Sequence, residues 1–521
     1  MLLPYILRLI EMFILFVILS VVGRTSEMGI GTKEPSKVLI GISVFMISLI
    51  ASFQFASFPL SKTFFETDQT VFQYIGARMH EGLVPYKDLF DHKGIILYFI
   101  QYISLLIPQH SIGLWLVELI NIFLFSIFIY KIADLYVDSF FIKLITVISV
   151  TCISGYFAFD GGNLSETYAI TWITIALYYF LSFIENESFK KLDIILIGIS
   201  FSIVFFLRQN MIGVWMFFIP CVTVLLIKKK NFSDLFKCMG LFITGCCIVM
   251  LPLLVYFFKT DSFKPMIDYY FIFNFAYSGS VSNIGRLYAA FVLVFCAGLA
   301  VPVLGLSLLF CKNKKKSYFY NIVFFVISLG LASLSALTYS HYAMLLLPAI
   351  IIPVVYSVQF IYSILDKLSS KKIKLSKGIA TVLSMVSMVL VIVFILNSSS
   401  TSLMKDLPKT VNYINENTEK KDDVIVIGNE CYNYFYTGRK TANKFFYQTP
   451  PIYVSEKIAN EFLDELMSKP SDYIIAYGER RENKYNDSVE GKVFKYLESQ
   501  CNIGKYVAED HDGFFVYKKV K

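Results

Sequence analysis

Long apolar runs recur along most of the chain, and short polar stretches separate them. Most runs approach or exceed the roughly 20 residues that a helix needs to cross a bilayer. The last run ends at Leu396, so the pattern predicts a helical membrane domain over residues 1–396. The runs are 2–23, 38–58, 94–107, 112–130, 140–158, 167–184, 192–207, 211–227, 238–258, 286–311, 317–337, 342–364 and 378–396.

Two of these runs need separate interpretation. The run 94–107 is short, follows a charged stretch and ends at Pro108, so we predict a helix lying at the membrane interface. About 12 transmembrane helices then remain. The first run is too long for a signal-peptide core and contains Arg8 and Glu11, so we expect it to remain as a helix.

The pattern changes at the C-terminal end, where charged residues become frequent and nearly balanced. Apolar segments at Asp423–Gly428, Tyr473–Tyr477 and Phe514–Tyr517 predict buried strands, and Ala459–Met467 predicts a helix. Residues 397–521 are therefore expected to form a small soluble α/β domain. The expected fold class is an all-α polytopic membrane bundle with interfacial helices and this added domain.

The lysines predict how the chain is oriented in the membrane. Short loops that are rich in lysine and poor in acids collect on the cytoplasmic side. By this rule and by alternation, five loops are expected in the cytoplasm: Lys131–Lys143, Glu185–Asp193, Lys228–Lys237, Lys312–Lys316 and Lys367–Lys377. The first large loop, residues 59–93, and the C-terminal domain then lie outside the cell.

Composition agrees with a membrane protein. The chain is 56% hydrophobic and 17% charged, with a mean hydropathy of +0.62, whereas soluble domains carry about 25% charged residues. The loop lysines account for the net charge of +8, so membrane lipid is an expected partner and nucleic acid is not. Frequent lysine, isoleucine and asparagine are typical of AT-rich bacteria and indicate a bacterial plasma membrane.

The nine cysteines show neither a CxxC pair nor a metal-binding spacing. Most of them fall in apolar runs, where a thiol behaves as a small hydrophobic group. Cys431 and Cys501 share the C-terminal domain, and their pairing stays open.

Loop 59–93 carries the most informative chemistry. Glu66 and Asp68 precede an amphipathic segment, and residues 82–94 then read G-L-V-P-Y-K-D-L-F-D-H-K-G. This order of acid, helix, G-x-x-P-Y-x-D-x-F-D-H-K-G and aromatic helix resembles the first external loop of the GT-C glycosyltransferases. The most similar branch is family-39-like, with the protein O-mannosyltransferases and the lipid A aminoarabinose transferases.

Other features fit bacterial members of that branch, namely Arg208-Gln209-Asn210, His341-Tyr342 and the soluble tail. Two positions depart from its pattern. The branch has two adjacent acids, whereas Glu66 and Asp68 here are separated by one residue. Ile95 stands where the branch has proline.

The resemblance implies an inverting glycosyltransferase that works at the outer membrane face. Its donor would be a sugar on polyprenyl phosphate, and its acceptor a hydroxyl of a cell-envelope glycan, lipid or protein. Such a reaction needs a carboxylate base and stabilisation of the departing phosphate. Whether Mg²⁺ or Mn²⁺ takes part stays open.

The resemblance assigns the catalytic acids, and the chemistry of the side chains suggests the other candidate residues. Asp68 is the candidate base, with Glu66 as second choice. Arg208, Lys93 and His92 are candidates for binding the donor phosphate, and Asp91, Asp88, Tyr86 and His341 for binding substrate.

Simpler structural roles compete with these assignments. Glu166 is either a second acid or metal ligand, or a helix N-terminal acid favoured by the helix dipole. Asp88 and Asp91 would equally suit helix caps, Tyr86 packing, and His341 a local hydrogen bond.

Two other classes of protein compete with the enzyme. A transporter or flippase of lipid-linked saccharide would place polar residues near the middle of several helices, whereas most runs here are apolar at their centres. A non-catalytic envelope-assembly protein would explain the C-terminal domain but not the polar cluster of loop 59–93.

Overall fold

The computed structural model describes residues 2–29, 35–61, 65, 67–107, 110–279, 282–311, 315–368, 408–477 and 489–520. The chain divides into two compact units. The first consists of Met1–Thr63, Ile107–Leu253 and Val281–Leu403. The second consists of Phe64–Leu106, Leu254–Ser280 and Met404–Lys521, so most of loop 59–93 groups with the C-terminal residues.

The first unit is built from helices. Its α-helices are Leu2–Gly29, Lys37–Ala51, His110–Asp134, Phe140–Ile148, Gly155–Ala158, Ser165–Asn186, Lys191–Phe205, Gly213–Lys228, Phe232–Lys259 (whose last residues belong to the second unit), Asn283–Cys296, Ala300–Phe310, Lys316–Ala332 and Leu347–Leu368. Short 3-10 segments lie at Ser52–Gln54, Gln209–Met211 and Ser340–Leu346, and a π-helical segment lies at Ser149–Ser154.

Within the described residues, six helices are long and apolar enough to cross a membrane: Lys37–Gln54, Ser111–Asp134, Phe140–Ala158, Ser165–Asn186, Phe232–Lys259 and Ser340–Leu365. The pair Asn283–Cys296 and Ala300–Phe310, bent by 86°, makes a seventh if it is one span. These helices identify a multi-pass membrane protein.

The expected number of about 12 membrane helices is not reached in this part of the chain. The runs 211–227 and 317–337 form the shorter helices Gly213–Lys228 and Lys316–Ala332, of 16 and 17 residues. At 1.5 Å per residue such helices are about 25 Å long, below the roughly 30 Å of the hydrocarbon core. The run 378–396 lies outside the described residues.

Burial separates inner helices from outer ones. The spans Ser165–Asn186 and Ser340–Leu365 are 78% and 83% buried, whereas Phe232–Lys259 is only 22% buried. Helix Ser165–Asn186 packs against His110–Asp134 and Lys191–Phe205. It therefore belongs to the core of the first unit, and Phe232–Lys259 presents most of its surface to lipid.

Polar side chains collect at the two ends of helix Ser165–Asn186. Its 22 residues correspond to about 33 Å, close to the thickness of a bilayer core. At the C-terminal end, Lys315 lies 3.7 Å from Glu185, and the hydroxyls of Tyr136 and Ser317 are 2.7 Å apart. Loops that the lysine rule groups together thus meet at one end; the absolute orientation stays a prediction.

The second unit contains a four-stranded sheet. Its strands are β1 (Val424–Ile427), β2 (Tyr473–Tyr477), β3 (Tyr506–His511) and β4 (Phe514–Lys519), in the order β1-β2-β4-β3. β1 and β2 are parallel, with Val424 opposite Tyr473, and the other pairs are antiparallel. The small C-terminal sheet that the sequence predicts is present.

The second unit also contains helices. They are Thr67–His80, Ile95–Ser104, Phe263–Met266, Phe273–Gly279, Lys409–Asn417, Tyr432–Thr437, Pro451–Val454, Glu456–Ser468 and Val489–Asn502, with a π-helical segment at Ile267–Ile272. Helix Ile95–Ser104 has only 10 residues, about 15 Å, which is too short to cross a bilayer. Cys431 and Cys501 are both free thiols, so they do not pair.

The first external loop and the C-terminal residues share one hydrophobic core in the second unit. The Phe90 backbone N–H donates to the Lys444 carbonyl over 2.9 Å. The Phe90 ring lies 4.9 Å from that of Phe445 and 5.7 Å from that of Tyr447. All three aromatic side chains are buried, so neither segment can bury its aromatic residues without the other.

Candidate active site

Glu166 and Arg208 form an ion pair in the first unit. Glu166 lies in the first turn of helix Ser165–Asn186, and Arg208 lies where helix Lys191–Phe205 has ended. The guanidinium donates through Nη1 to Glu166 Oε1, and the Ser165 hydroxyl donates to Oε2 over 2.9 Å. The Glu166 side chain is 2% exposed and that of Arg208 is 18% exposed. Burial strengthens such a charge-assisted contact.

Aromatic rings connect this ion pair to the hydrogen-bonded side chains of His341 and Asp160. The Arg208 guanidinium lies 4.5 Å from the centre of the Tyr342 ring, within the range of a cation–π interaction. His341 meets the same ring edge-on at 4.8 Å. His341 Nδ1 lies 2.9 Å from Asp160 Oδ2. Glu166, Arg208, Tyr342, His341 and Asp160 therefore form one continuous cluster, called the cation–carboxylate cluster below.

Asp160 stays ionised more readily than an ordinary aspartate. Partial burial alone would raise the pKa of its carboxyl, but hydrogen bonds from His341 and Ser340 outweigh burial and lower it. A carboxylate held in this way keeps His341 oriented. The prediction that His341 is a local hydrogen bonder and the prediction that it binds substrate are both compatible with this contact.

An unusual loop presents the cluster. Four consecutive residues, Asp160 to Asn163, have positive φ angles of 50°, 78°, 79° and 49°. Only glycine adopts this conformation freely, and Asp and Asn tolerate it better than other residues. The loop is anchored by Glu118, whose buried carboxylate accepts from the Asn163 N–H over 2.5 Å and from the Ser57 hydroxyl. Glu118 thus fixes the start of the helix that carries Glu166.

Asp91 has a buried, fully structured environment in the second unit. Its side chain is 2% exposed. Oδ1 accepts from the Tyr447 hydroxyl and the His92 N–H, both over 2.6 Å, and Oδ2 accepts from the Tyr98 hydroxyl over 2.7 Å. Burial raises the pKa of Asp91, although Lys93 and the two tyrosines act in the opposite direction. Asp91 joins the first external loop to the C-terminal residues.

His92 and Lys93 differ in how they are held. His92 Nδ1 lies 3.0 Å from Asn274 Oδ1, and Asn274 Nδ2 donates to the His92 carbonyl over 2.8 Å. Lys93 is half-buried, and within the described residues its ammonium has no ion pair or hydrogen bond. Lys93 is therefore better suited than His92 to contact an added anion.

Asp88 and Tyr86 shape the turn that precedes Asp91. Asp88 Oδ2 accepts from the Val84 N–H over 2.9 Å. Tyr86 is 1% exposed, has a φ of 68°, and donates to the Lys93 carbonyl over 2.6 Å. Helix Ile95–Ser104 begins after Gly94 without a side-chain cap. The alternative that Asp88 or Asp91 caps this helix is therefore wrong.

Asp68 is an exposed acid in the first turn of helix Thr67–His80, in the second unit. Glu66 lies outside the described residues. Among the sequence candidates, the structure thus brings Glu166, Arg208 and His341 together in the first unit. Tyr86, Asp88, Asp91, His92 and Lys93 come together in the second unit, where Asp68 also lies.

Sequence reasoning missed four residues of these clusters: Glu118, Asp160, Asn274 and Tyr447. Glu118 offered a signal, because an isolated acid inside an apolar run is costly and needs a partner. Asp160 in Asp-Gly-Gly-Asn offered a turn signal. Asn274 and Tyr447 offered none, because their partners lie more than 180 residues away.

A metal site is not evident in the described residues, where no group of three or more His, Cys, Asp or Glu side chains is placed to hold an ion.

A family model described as "Putative competence-induced protein Ccs4 N-terminal domain" matches residues 32–407. A search of curated proteins finds no match to this chain.

Two solved structures share the fold. ArnT from Cupriavidus metallidurans bound to undecaprenyl phosphate superposes with a TM-score of 0.57 at 8% identity, covering 93% of this chain and 98% of that one. The apo form of that ArnT gives a TM-score of 0.56, also at 8% identity, with the same coverage. These neighbours show that the chain has the fold of ArnT.

A weaker likeness is found to an Archaeoglobus fulgidus oligosaccharyltransferase in complex with Zn and sulfate. Its TM-score is 0.42 at 13% identity, covering 92% of this chain and 73% of that one. A TM-score of this size does not establish a shared fold.

Proposed function

Because the chain belongs to the family of competence-induced protein Ccs4 N-terminal domains and has the fold of ArnT, we propose that it is a membrane glycosyltransferase. Its donor is a sugar linked to polyprenyl phosphate, and its acceptor is a hydroxyl group of the cell envelope. The family-39-like branch of the GT-C enzymes is the proposed affiliation. The active site and the C-terminal domain are proposed to face outwards from a bacterial plasma membrane.

The observation that carries this proposal is the cation–carboxylate cluster at the N-terminal end of helix Ser165–Asn186. Charges inside a membrane domain are expensive and usually serve a function. The ArnT neighbour binds undecaprenyl phosphate, and an arginine suits the oxygens of a phosphate group. Lipid-linked phosphate is therefore the substrate chemistry that the fold and the cluster support together.

The proposed reaction is a single displacement. The acceptor oxygen attacks the anomeric carbon while the bond from that carbon to the phosphate oxygen breaks. The acceptor proton passes to a carboxylate base, and polyprenyl phosphate leaves with the bonding electrons. The configuration at the anomeric carbon inverts.

Arg208 is the proposed contact for the departing phosphate. Within the described part of the chain its guanidinium makes one hydrogen bond, to Glu166, and a guanidinium has five N–H donors. Glu166 is the proposed positioning residue that holds this side chain. Its burial and its two hydrogen bonds favour that role over direct contact with an acceptor.

Asp68 is the proposed base, by its place in the family-39-like loop, with Glu66 as the alternative. Lys93 is a proposed second phosphate contact, because its ammonium makes no ion pair or hydrogen bond within the described residues. Asp91, Asp88, Tyr86 and His92 are proposed to shape the second unit, and His341 to steady Tyr342 against Arg208.

The test is a strain that lacks this chain, complemented with variants and analysed by mass spectrometry of its envelope glycans. We expect wild type to restore the sugar modification that the deletion strain lacks, and Asp68→Asn to restore none of it. Arg208→Gln should restore about 10²- to 10³-fold less than wild type does. Arg208→Lys should restore part of it, because a lysine keeps the charge without the planar fork. Asp261→Asn, also an exposed acid of the second unit, is the matched control and should behave as wild type.

Equal glycan profiles for wild type, Asp68→Asn and Arg208→Gln at equal expression would overturn the assignment of these residues. Unchanged sugar transfer combined with altered movement of the lipid carrier in the deletion strain would favour the flippase alternative.

A further inference from the structure

The first unit contains a cavity that the proposed reaction does not use. Its volume is about 850 Å³, within the usual range for ligand sites. Phe183 and Glu187 place it at the C-terminal end of helix Ser165–Asn186, about 30 Å along that helix from Glu166. Helices Lys191–Phe205, Gly213–Lys228, Phe232–Lys259 and Lys316–Ala332 complete its walls.

The rim of the cavity is cationic. Four lysines line it, Lys191, Lys229, Lys237 and Lys316, against only two carboxylates, Glu187 and Asp234. Lys229 pairs with Glu187, and Lys237 lies 3.3 Å from Asp234. In the part of the chain that the structure describes, Lys191 and Lys316 have no carboxylate within ion-pair distance. The lining of the cavity therefore carries an excess of positive charge.

The depth of the cavity is apolar, and so is the surface beside it. Phe183, Phe189, Leu225, Leu226 and Leu241 line the cavity. On the neighbouring surface, Leu192 is 62% exposed, Phe232 51% and Phe236 68%. Large apolar side chains exposed on a membrane domain face lipid. The cavity thus lies where a lysine-rich end meets the lipid-facing surface.

We propose that this cavity is a binding site for the headgroup of an anionic phospholipid, with the phosphate between Lys191 and Lys316 and the glycerol and first acyl carbons against the apolar wall. A soluble phosphate compound also carries an anionic group, but it has no acyl chain to pack against the leucine and phenylalanine wall. That wall continues into the lipid-facing surface. The lysine rule assigns this end to the cytoplasmic leaflet, which carries anionic lipid. The site is independent of the proposed glycosyl transfer.

The test is native mass spectrometry of the delipidated full-length protein, titrated with phosphatidylglycerol or with phosphatidylcholine. We expect phosphatidylglycerol to bind more tightly. The double variant Lys191→Gln/Lys316→Gln should weaken it about 30-fold, because each lysine near an anionic lipid contributes a factor of about five. Lys191→Arg/Lys316→Arg keeps both charges and should retain binding.

The matched control is Lys228→Gln/Lys230→Gln. It removes the same charge from a third loop that borders the cavity through Lys229, and neither Lys228 nor Lys230 lines the cavity. Equal weakening by the two glutamine variants, or equal binding of the two lipids, would overturn the site. Displacement of phosphatidylglycerol by equimolar glycerol phosphate would identify a soluble ligand and overturn the lipid assignment. A thermal unfolding curve for each variant separates loss of binding from loss of fold.

Discussion

Glu118 illustrates at the residue scale how this protein keeps an acidic side chain buried inside a membrane domain. Its carboxylate is buried and accepts from the Asn163 N–H and the Ser57 hydroxyl. Buried polar groups remain only when they are hydrogen-bonded. The position of the Asp160–Asn163 loop, and with it Glu166, thus depends on a residue that makes no described contact with Arg208 or His341.

We expect Glu118→Ala to lower the free energy of unfolding by about 1–3 kcal/mol, because the Asn163 N–H would lose its buried acceptor. Glu118→Gln keeps an acceptor oxygen and should cost less. Thermal or denaturant unfolding of the purified protein measures both. Equal destabilisation by the two variants would mean that charge, and not the acceptor, holds the loop.

Asp91 makes the stability of the second unit depend on pH. Burial raises its folded-state pKa above the ordinary 3.8, so the folded state holds the proton to a higher pH than the unfolded state. Its stabilising contribution is present below the ordinary pKa and is lost as pH rises through the raised one.

As pH rises from the ordinary pKa to the raised pKa of Asp91, the free energy of unfolding of wild type should fall relative to that of Asp91→Asn. Above the raised pKa the difference between the two proteins should stay constant. Unfolding curves at a series of pH values measure this difference, with Asp261→Asn as the control for an exposed acid. A difference that does not change with pH would show that Asp91 titrates normally.

At the scale of elements, the apolar pattern predicts the existence of helices better than their length. The runs 192–207 and 211–227 correspond to two α-helices separated by a break at Arg208 and the 3-10 segment Gln209–Met211. Arg208 was the visible signal for that break. Strand β3 was missed because Tyr506–His511 is mostly exposed and reads Y-V-A-E-D-H, with no apolar run.

Two of the helices in the first unit depend on glycine for their close approach. A Cβ on Gly198 would overlap the Phe242 carbonyl oxygen, and one on Gly245 would overlap the Ile195 carbonyl oxygen. Small residues commonly allow membrane helices to approach this closely.

We expect Gly198→Ala to destabilise the first unit by about 1–3 kcal/mol, because helices Lys191–Phe205 and Phe232–Lys259 would have to separate. Gly330→Ala, where a Cβ meets nothing within 4 Å, should be neutral or stabilising, since alanine favours helix. Unfolding of the two variants in the same detergent compares them. Equal stability would show that the helices separate at no cost.

At the scale of the whole molecule, the sequence predicts the membrane domain and the C-terminal sheet but not the way the chain is shared between compact units. Asp91 accepts a hydrogen bond from Tyr447, which lies 356 residues away in sequence, and no local sequence pattern predicts such a contact. The loop motif places Asp91, His92 and Lys93 next to one another because it is contiguous in sequence, and their roles stay a prediction. Their partners could be found only in the structure.

The second unit draws on three chain segments, so its C-terminal part should not be stable alone. We expect residues 404–521 expressed without the rest of the chain to show low stability and a tendency to aggregate. Phe445, Phe446 and Tyr447 would lose the cover of Phe90 and Tyr74, and exposed apolar patches promote association. A cooperative, reversible unfolding transition of the fragment would contradict this account.

The central claim is sugar transfer from a polyprenyl-phosphate donor, and release of polyprenyl phosphate tests it most directly. Vesicles would contain the purified full-length protein and polyprenyl-phosphate-linked sugars from cells lacking it, with envelope material from those cells as acceptor. We expect wild type to release polyprenyl phosphate and transfer the sugar, and Asp68→Asn and Arg208→Gln to release little. Release that is equal with wild type, with both variants and with empty vesicles would contradict the account.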